Sequence, residues 1–490
     1  MDTSIESPIE MSTRIRFAAR AHTANRTEAM AQTRRKGMQR ERLLQGMVVA
    51  ANRGGYAGAN ISAVIAAAGV SRPTFYEYFS DRDDCFQACI GDVQNQLSAT
   101  IEDALSGQAA DTAAAAAIQA LVGYASAEPA RARFLMAESM SGGTRALDAR
   151  DRGIAGIATS IEGVQGDAPG GAQVADLEAR VLVATVYRMI ATRLRRGEIA
   201  VAKLAEELLG WVAAYQRPSR ELRWQKLTAL PPPGHSPHVP DVPVHQMQEV
   251  LPPGRPRISE QEVAENHRLR ILYATARMAK EKGYSTTTVA DITRLASVDG
   301  SAFYRLFSDK QDAFIAVHEL GFQQVMDVTA KAFFSAESWP ERSWEAGRAL
   351  TQLLQDNPLV AHVGFVEAYA VGPRAVQRIE DSHTAFMFFL QEGLLQRPQA
   401  NAPSRAALEA IVAAIFEIVY LQTRGRKPQI AGMLAHIAHI WLTPFMGAEA
   451  TDAFIDAQLR ASGVTPPSPP PRGPARRAAR GRRGSPQRQQ

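Results

Sequence analysis

Cysteine is nearly missing from this 490-residue chain: only Cys85 and Cys89 occur. A disulfide framework is thereby excluded as a source of stability. Aromatic residues are also scarce, at 7%, while alanine is abundant, a balance that suits helices better than strands. No uninterrupted apolar run reaches the roughly 18 residues of a membrane span, so no membrane association is expected. The N-terminal stretch MDTSIESPIEMSTRIRFAARAHTANRTEAM has no continuous apolar core of the signal-peptide kind, which makes a cytoplasmic protein the expectation. No nucleophile, base and oxyanion grouping stands out, so the chain reads as not an enzyme, with no cofactor. His436 and His439 share a helix side without a carboxylate or cysteine nearby, and no metal site is expected.

What is present is enough chain for two to four cores. Hydrophobic residues at 46% and charged residues at 21% are ordinary for a globular protein. The formal charge of +5 is misleading, because the tail TPPSPPPRGPARRAARGRRGSPQRQQ alone holds seven arginines and no acid. Any argument for nucleic acid must therefore rest on local placement.

Along the chain, residues 1–37 are polar and end in the basic run Thr33–Gly37, and they read as a disordered basic arm. Leu43, Leu44, Met47, Val48 and Ala51 then repeat at helical spacing until Gly54-Gly55. A proline-rich linker covers 217–260 and carries the GRPR arm, Gly254–Arg257. Beyond it Leu269, Leu272, Tyr273, Ala276 and Ala279 restore the same helical face, closed by Gly283. The segment 456–490 reads as a disordered Arg/Pro-rich tail.

The restart is a repeat. A constant offset of 228 aligns Arg42–Phe86 with Arg270–Phe314 without a gap, pairing Gly55-Tyr56 with Gly283-Tyr284, Phe75-Tyr76 with Phe303-Tyr304, and Arg82 with Lys310. Within each copy, capping residues mark short helices. Asn60, Ser71 and Ser80 open them in the first copy; Thr288 (with Asp291 three on), Asp299 and Ser308 do so in the second. Two short helices joined by a three-residue turn form a helix-turn-helix, whose second helix enters the major groove.

GVSRPTFYEYFSDRDDCF, Gly69–Phe86, resembles the DNA-binding signature of the TetR/AcrR family of bacterial transcriptional regulators, and SVDGSAFYRLFSDKQDAF, Ser297–Phe314, resembles it less closely. The expected fold is all-α: two tandem copies of a helix-turn-helix domain (38–91 and 261–320), each followed by a helical ligand-binding and dimerisation domain (92–216 and 321–455). The resemblance implies that Arg72, Pro73 and Thr74 approach base edges, while Tyr76, Arg82 and the helix start at Asn60 lie near phosphates. The matching residues of the second copy are Gly300, Ser301 and Ala302, then Tyr304, Lys310 and Thr288, with Arg305 adding positive charge. Independently, arginine reads guanine through a bidentate contact, and extended arms bearing Arg255 and Arg257 suit a narrow minor groove. Phe75, Phe79, Phe303 and Phe307 read as core.

The copies differ where it matters. Asp299 and Gly300 replace Ser71 and Arg72, which removes a cation and adds an acid near the phosphates. The first head is therefore expected to contribute more to reading. The last two long helices of each half, near 175–215 and 405–441, are expected to pair the halves within one chain, with a homodimer of chains as the alternative. The resemblance also implies a small-molecule effector of unknown identity. Trp339, Phe365, Tyr369, Phe386 and Phe389 are weak candidates to line its pocket, since ordinary core packing also accounts for them. Two function classes remain: a ligand-released repressor acting on double-stranded DNA, or a ligand-sensing or interaction scaffold whose heads no longer bind it.

Overall fold

The computed structural model describes residues 34–166, 174–198, 202–217, 222–227, 247–251, 259–396 and 402–468. Most of the N-terminal arm, Arg255 and Arg257 with most of the linker, and the tail beyond 468 lie outside the described residues; the first residues of the tail expected to be disordered, 456–461, are instead helical, with Leu459 buried.

Helix α1 (34–58) opens inside the run expected to be a disordered arm: Arg34 to Gly37 are already helical and exposed. Arginine and lysine are good helix formers, and they prolong the turns that bury Leu43, Leu44 and Met47. There follow α2 (Ile61–Ala68), α3 (Arg72–Tyr76), α4 (Arg82–Leu105), α5 (Ala113–Ala127), α6 (Pro129–Met136), α7 (Gly143–Gly166), α8 (Ala179–Arg195) and α9 (Ala202–Ala213). The second half runs α10 (Glu260–Lys282), α11 (Val289–Ala296), α12 (Gly300–Leu306), α13 (Lys310–Phe333), α14 (Trp339–Asp356) and α15 (Pro358–His362). It continues through a π-helical turn at Val363–Glu367 into α16 (Ala368–Val371), α17 (Pro373–Gln391), α18 (Arg405–Arg424), α19 (Leu434–Met446) and α20 (Ala448–Ala461). Among the described residues one antiparallel pair, β1 (Val174–Ala175) with β2 (Gln216–Arg217), interrupts the helices.

The repeat runs well past the head. Helices α4 and α13 begin 228 residues apart, at Arg82 and Lys310, and end 228 apart, at Leu105 and Phe333. Helix α18 brackets the positions 228 beyond α8. Both long helices start one residue later than expected: Asp81 and Asp309, not Ser80 and Ser308, are the N-caps, each carboxylate accepting from the third amide of its helix at 2.8 Å. Asp84 and Asp312 reach back to the serine amides at 3.0 Å. A carboxylate at the positive end of a 24-residue helix outcompetes a serine hydroxyl. Burial pushes the Cys85 thiol up to about 12 inside α4, so both cysteines are inert core residues.

The two halves share one core, and α18 is its axis, packed on α8 and α9 of the first half as well as on α17 and α19 of its own. Its length and hydropathy would suit a membrane span, yet most of it is covered by these neighbours. Charge crosses the contact with a consistent sense. Arg188 on α8 donates through Nε to Glu417 on α18 at 2.9 Å, and Arg150 on α7 approaches the same fully buried carboxylate at 3.5 Å. Arg193 meets Glu409 at 2.6 Å, Arg196 meets Glu380 at 3.1 Å, and Arg223 meets Asp456 at 2.7 Å. In every one of these the first half supplies the cation. Arg424, which pairs with Asp148 and Asp151, reverses the sense.

Glu417 answers two buried guanidiniums at once; its removal leaves the buried Arg188 without a carboxylate, while Arg150 keeps Asp151 at 3.2 Å. Glu417→Ala should cost about 3–5 kcal/mol in chemical denaturation. Glu409→Ala, at the partly exposed rim, should cost about 1 kcal/mol or less.

Candidate nucleic-acid interface

Each head is built on one local device. In the first, Arg42 of α1 donates to Gly69 O at 2.8 Å; in the second, Arg270 of α10 donates to Ser297 O at 3.1 Å. Both carbonyls belong to the turn between the two short helices, where the chain takes the left-handed conformation, φ 61° at Gly69 and φ 48° at Ser297. Glycine enters this region freely, whereas serine is strained there. Gly46 further lets α1 and α2 touch, since a Cβ there would stand 2.7 Å from Val64 O. Asn60 caps α2 by accepting from the Ala63 amide at 2.9 Å. Thr288 and Asp291 cap α11 reciprocally, Asp291 accepting from the Thr288 amide at 2.9 Å.

The turn delivers α3 and α12 with one aromatic in and one out. Phe75 and Phe303 are fully buried, while the adjacent Tyr76 and Tyr304 are 52% and 62% exposed. Each tyrosine stands edge-on to its phenylalanine, with centroids 5.5 Å and 5.3 Å apart. On the first head Arg72 and Pro73 are exposed and Thr74 is half-buried, its Oγ1 2.9 Å from Ser71 Oγ. On the second, Ser301 and Arg305 are exposed and Ala302 is buried. Ser301 donates to Asp299 at 2.6 Å. That bond and the Ala302 amide hold the Asp299 carboxyl below its ordinary range, so the acid on this face stays charged.

Two residues expected near phosphates have other partners. Arg82 donates to Tyr56 Oη and Asp83 Oδ1, both at 2.8 Å, with its guanidinium 4.2 Å from the Tyr56 ring centre. Lys310 donates to the carbonyls of Tyr284 at 3.0 Å and Thr287 at 2.8 Å, and lies over the Tyr284 ring. Each cation closes the gap between the α1 or α10 terminus and the long helix. Lysine has three donors and no fork, so Lys310 is spent more completely than Arg82. Partial burial lowers its pKa.

The aromatic residues expected around an effector separate. Phe365 and Phe386 line a small cavity with Val317, Gly321, Val363 and Phe416. Trp339 instead stacks on Phe445 in the core and donates to Phe389 O at 3.0 Å, and Phe389 packs on Phe333. Tyr369 sits at the contact between halves, hydrogen-bonded to Arg188. Large aromatics fill whichever void their helix face meets, and composition does not say which void is open. Of the two histidines, His439 contacts Asp176 O at 3.1 Å and Thr443 at 3.3 Å, while His436 is buried and held neutral by desolvation. Sequence reasoning misses Glu367, which accepts from the Tyr284 amide at 2.8 Å and so joins the second head to the π-helical turn. No local motif marks it. Arg42 and Arg270 were discoverable, as identical residues at the repeat offset.

Residues 48–89 and 271–317 both match the family model described as bacterial regulatory proteins, tetR family. The chain thus carries that family's DNA-binding head twice. Solved structures with some likeness include the fatty acid degradation regulator FadR from Bacillus halodurans, at 18% identity over 36% of this chain and 94% of that one, TM-score 0.33. Another is FadR from Bacillus subtilis in complex with stearoyl-CoA, at 17% identity over 37% and 98%, TM-score 0.32. A third is the TetR family transcriptional regulator PfmR from Thermus thermophilus, at 19% identity over 37% and 96%, TM-score 0.31. No curated protein sequence matches the chain.

The turn residues should respond oppositely to substitution. Ser297→Gly relieves the left-handed strain and should stabilise the second head by about 0.5–1 kcal/mol, offset in part by unfolded-state entropy. Gly69→Ala should destabilise the first head by at least about 1 kcal/mol, because its Cβ also meets Arg42 Nη2 at 2.8 Å. Amide hydrogen exchange within α2 and α11 reads the two heads separately.

Proposed function

We propose that the chain is a sequence-specific transcriptional repressor that binds promoter DNA through two non-equivalent heads and is released by a small apolar ligand. The observation that carries the DNA-reading part is the contrast between the two outward faces on one shared scaffold: Arg72-Pro73-Thr74-Tyr76 against Asp299-Gly300-Ser301-Tyr304. An exposed arginine at the start of a recognition helix suits a bidentate contact to guanine, and a half-exposed tyrosine hydroxyl suits a phosphate. Repression would be occlusion of the promoter by the bound heads, with no catalytic step.

The complementary charges between the halves, most of them with the cation on the first, support pairing within a chain. Two first halves face to face would set Arg188 and Arg193 against Met189 and Val181, the residues 228 before Glu417 and Glu409, and leave both arginines without a carboxylate, whereas the second half offers Glu417 and Glu409. Two linked heads would then read successive major grooves.

For the ligand, the support is the apolar cavity beside α13, about 40 Å³ as it stands. Such a space is far below the usual few hundred Å³ of a ligand site, so an occupant must part α13, α15 and α17. The π-helical turn forms one wall, and its Glu367 holds the Tyr284 amide. Opening the cavity would therefore move the second head relative to the first, a differential affinity of the kind release requires.

Asp299 and the spent Lys310 also favour a second reading for one half of the molecule, in which the second head is a sensing or interaction module. Selection from random duplex DNA tests both. Arg72→Ala should lose about 1–3 kcal/mol of discrimination at one position. Tyr76→Phe should weaken all sequences more evenly. Selection unchanged in both variants would overturn the DNA-reading assignment. Asp299→Ser combined with Gly300→Arg, whose side chain meets open space, should raise affinity and steepen the salt dependence by about one ion if the second head touches DNA. No change would assign it the sensing role.

A further inference from the structure

Between the heads and the bodies lies a cleft of about 1010 Å³ that the DNA-reading proposal does not use. Its wall comes from both halves: Arg53, Arg133, Arg195 and Arg196 from the first, Lys310 and Gly372 from the second. Three carboxylates share it, those of Glu138, Asp309 and Glu380.

Two of these cations, Arg195 and Arg53, are under-compensated. Arg196 takes the Glu380 carboxylate at 3.1 Å, leaving Arg195 with the same group at 3.7 Å. The buried Nε of Arg195 has no hydrogen-bond partner among the described residues, and its Nη2 has only Thr192 at 3.5 Å. Arg53 is exposed on the lip, with no carboxylate partner among the described residues. Arg133 pairs with Glu138 at 3.3 Å, and burial raises the pKa of that carboxyl. Desolvation and the neighbouring Arg188 both act against the charge on Arg195.

A guanidinium in this state gains most from an anion that brings oxygens to it. Arg195 is only 17% exposed, too recessed for the backbone of a duplex. We propose that this cleft binds a small polyanion, a compound bearing a pyrophosphate or several carboxylates, with Arg195 at the floor and Arg53 at the lip. Because both halves supply the wall, occupancy depends on their relative placement, and it constrains the head separation in return. The site is separate from the apolar cavity.

The test is calorimetric titration of the full chain, without DNA, with pyrophosphate and separately with citrate at fixed ionic strength. The expected result is one site per chain for at least one probe, weakened about tenfold or more by Arg195→Gln and by Arg53→Gln. Arg294→Gln, on an exposed guanidinium of the second head that does not line the cleft, should leave binding unchanged. Arg53→Gln lies on the surface, so it decides the matter if Arg195→Gln fails to fold. No heat with either probe at millimolar concentration, or binding indifferent to Arg53→Gln, would overturn the proposal. DNA is absent from the assay, so its outcome is independent of the DNA-reading assignment.

Discussion

The carboxylate of Glu417 is the point on which the two halves turn. It lies fully buried on the central helix and takes Arg188 from one neighbouring helix and Arg150 from another. Burying three ionised groups is expensive, and an apolar substitute of the same shape could match or exceed their net stability. What such a cluster supplies is selectivity: any arrangement that separates Glu417 from its arginines leaves charges desolvated and unanswered. The surrounding pairs repeat this logic at lower cost, since Arg193, Arg196 and Arg223 all project from the first half towards acids of the second. The geometry of the heads is inherited from that registration, because α4 and α13 run without a break from each head into the shared core.

The attachments of the heads differ in kind. On the first, Arg131 of α6 grips Glu41 of α1 at 2.9 Å and Gln96 of α4 at 2.6 Å, and Asn52 donates to Ala130 O at 2.7 Å. These bonds join one α-helix to the next. The second is held through Glu367 on the π-helical turn and through Gln311, which donates to Val371 O at 2.9 Å. A π turn inserts a residue into the helical ladder and is a natural place for a helix to yield. The aromatic cavity lies against that turn, so the less regular attachment and the apolar void belong to the same half. In the proposed mechanism the first head reads and the second head moves.

Much of this was legible in the sequence, for identifiable reasons. The heads could be read because turns, caps and aromatic pairs demand particular residues: Gly69 for its left-handed φ, Asn60 and Thr288 for their caps, Phe75 and Phe303 for the inward face. The continuation of the repeat was hidden because a buried helix face accepts almost any apolar residue. Tyr187 and Ile415 hold corresponding places in α8 and α18 yet share no chemistry beyond burial. The intramolecular contacts of Arg82 and Lys310 were not legible, since a basic residue at a helix start suits a phosphate and a neighbouring carbonyl equally well. Glu367 was illegible for a related reason: its partner, the Tyr284 amide, lies 83 residues away.

The same facts bear on why both halves reside in one chain. A homodimer repeats every substitution across its twofold axis, so an acid placed to answer Arg188 would appear in both copies and neither half could be specialised to one role. Tandem fusion removes that constraint. Once joined, one copy can keep the arginine while the other, at a neighbouring position on the partner helix, acquires Glu417, and the pair then excludes self-association of either half. The recognition faces are released by the same step: Ser71-Arg72 and Asp299-Gly300 can diverge without spoiling a symmetric partner. An asymmetric interface and asymmetric heads are thus two consequences of one loss of symmetry. On that argument the DNA site proposed for this protein should itself depart from a palindrome, with its stronger half under the head that retains Arg72.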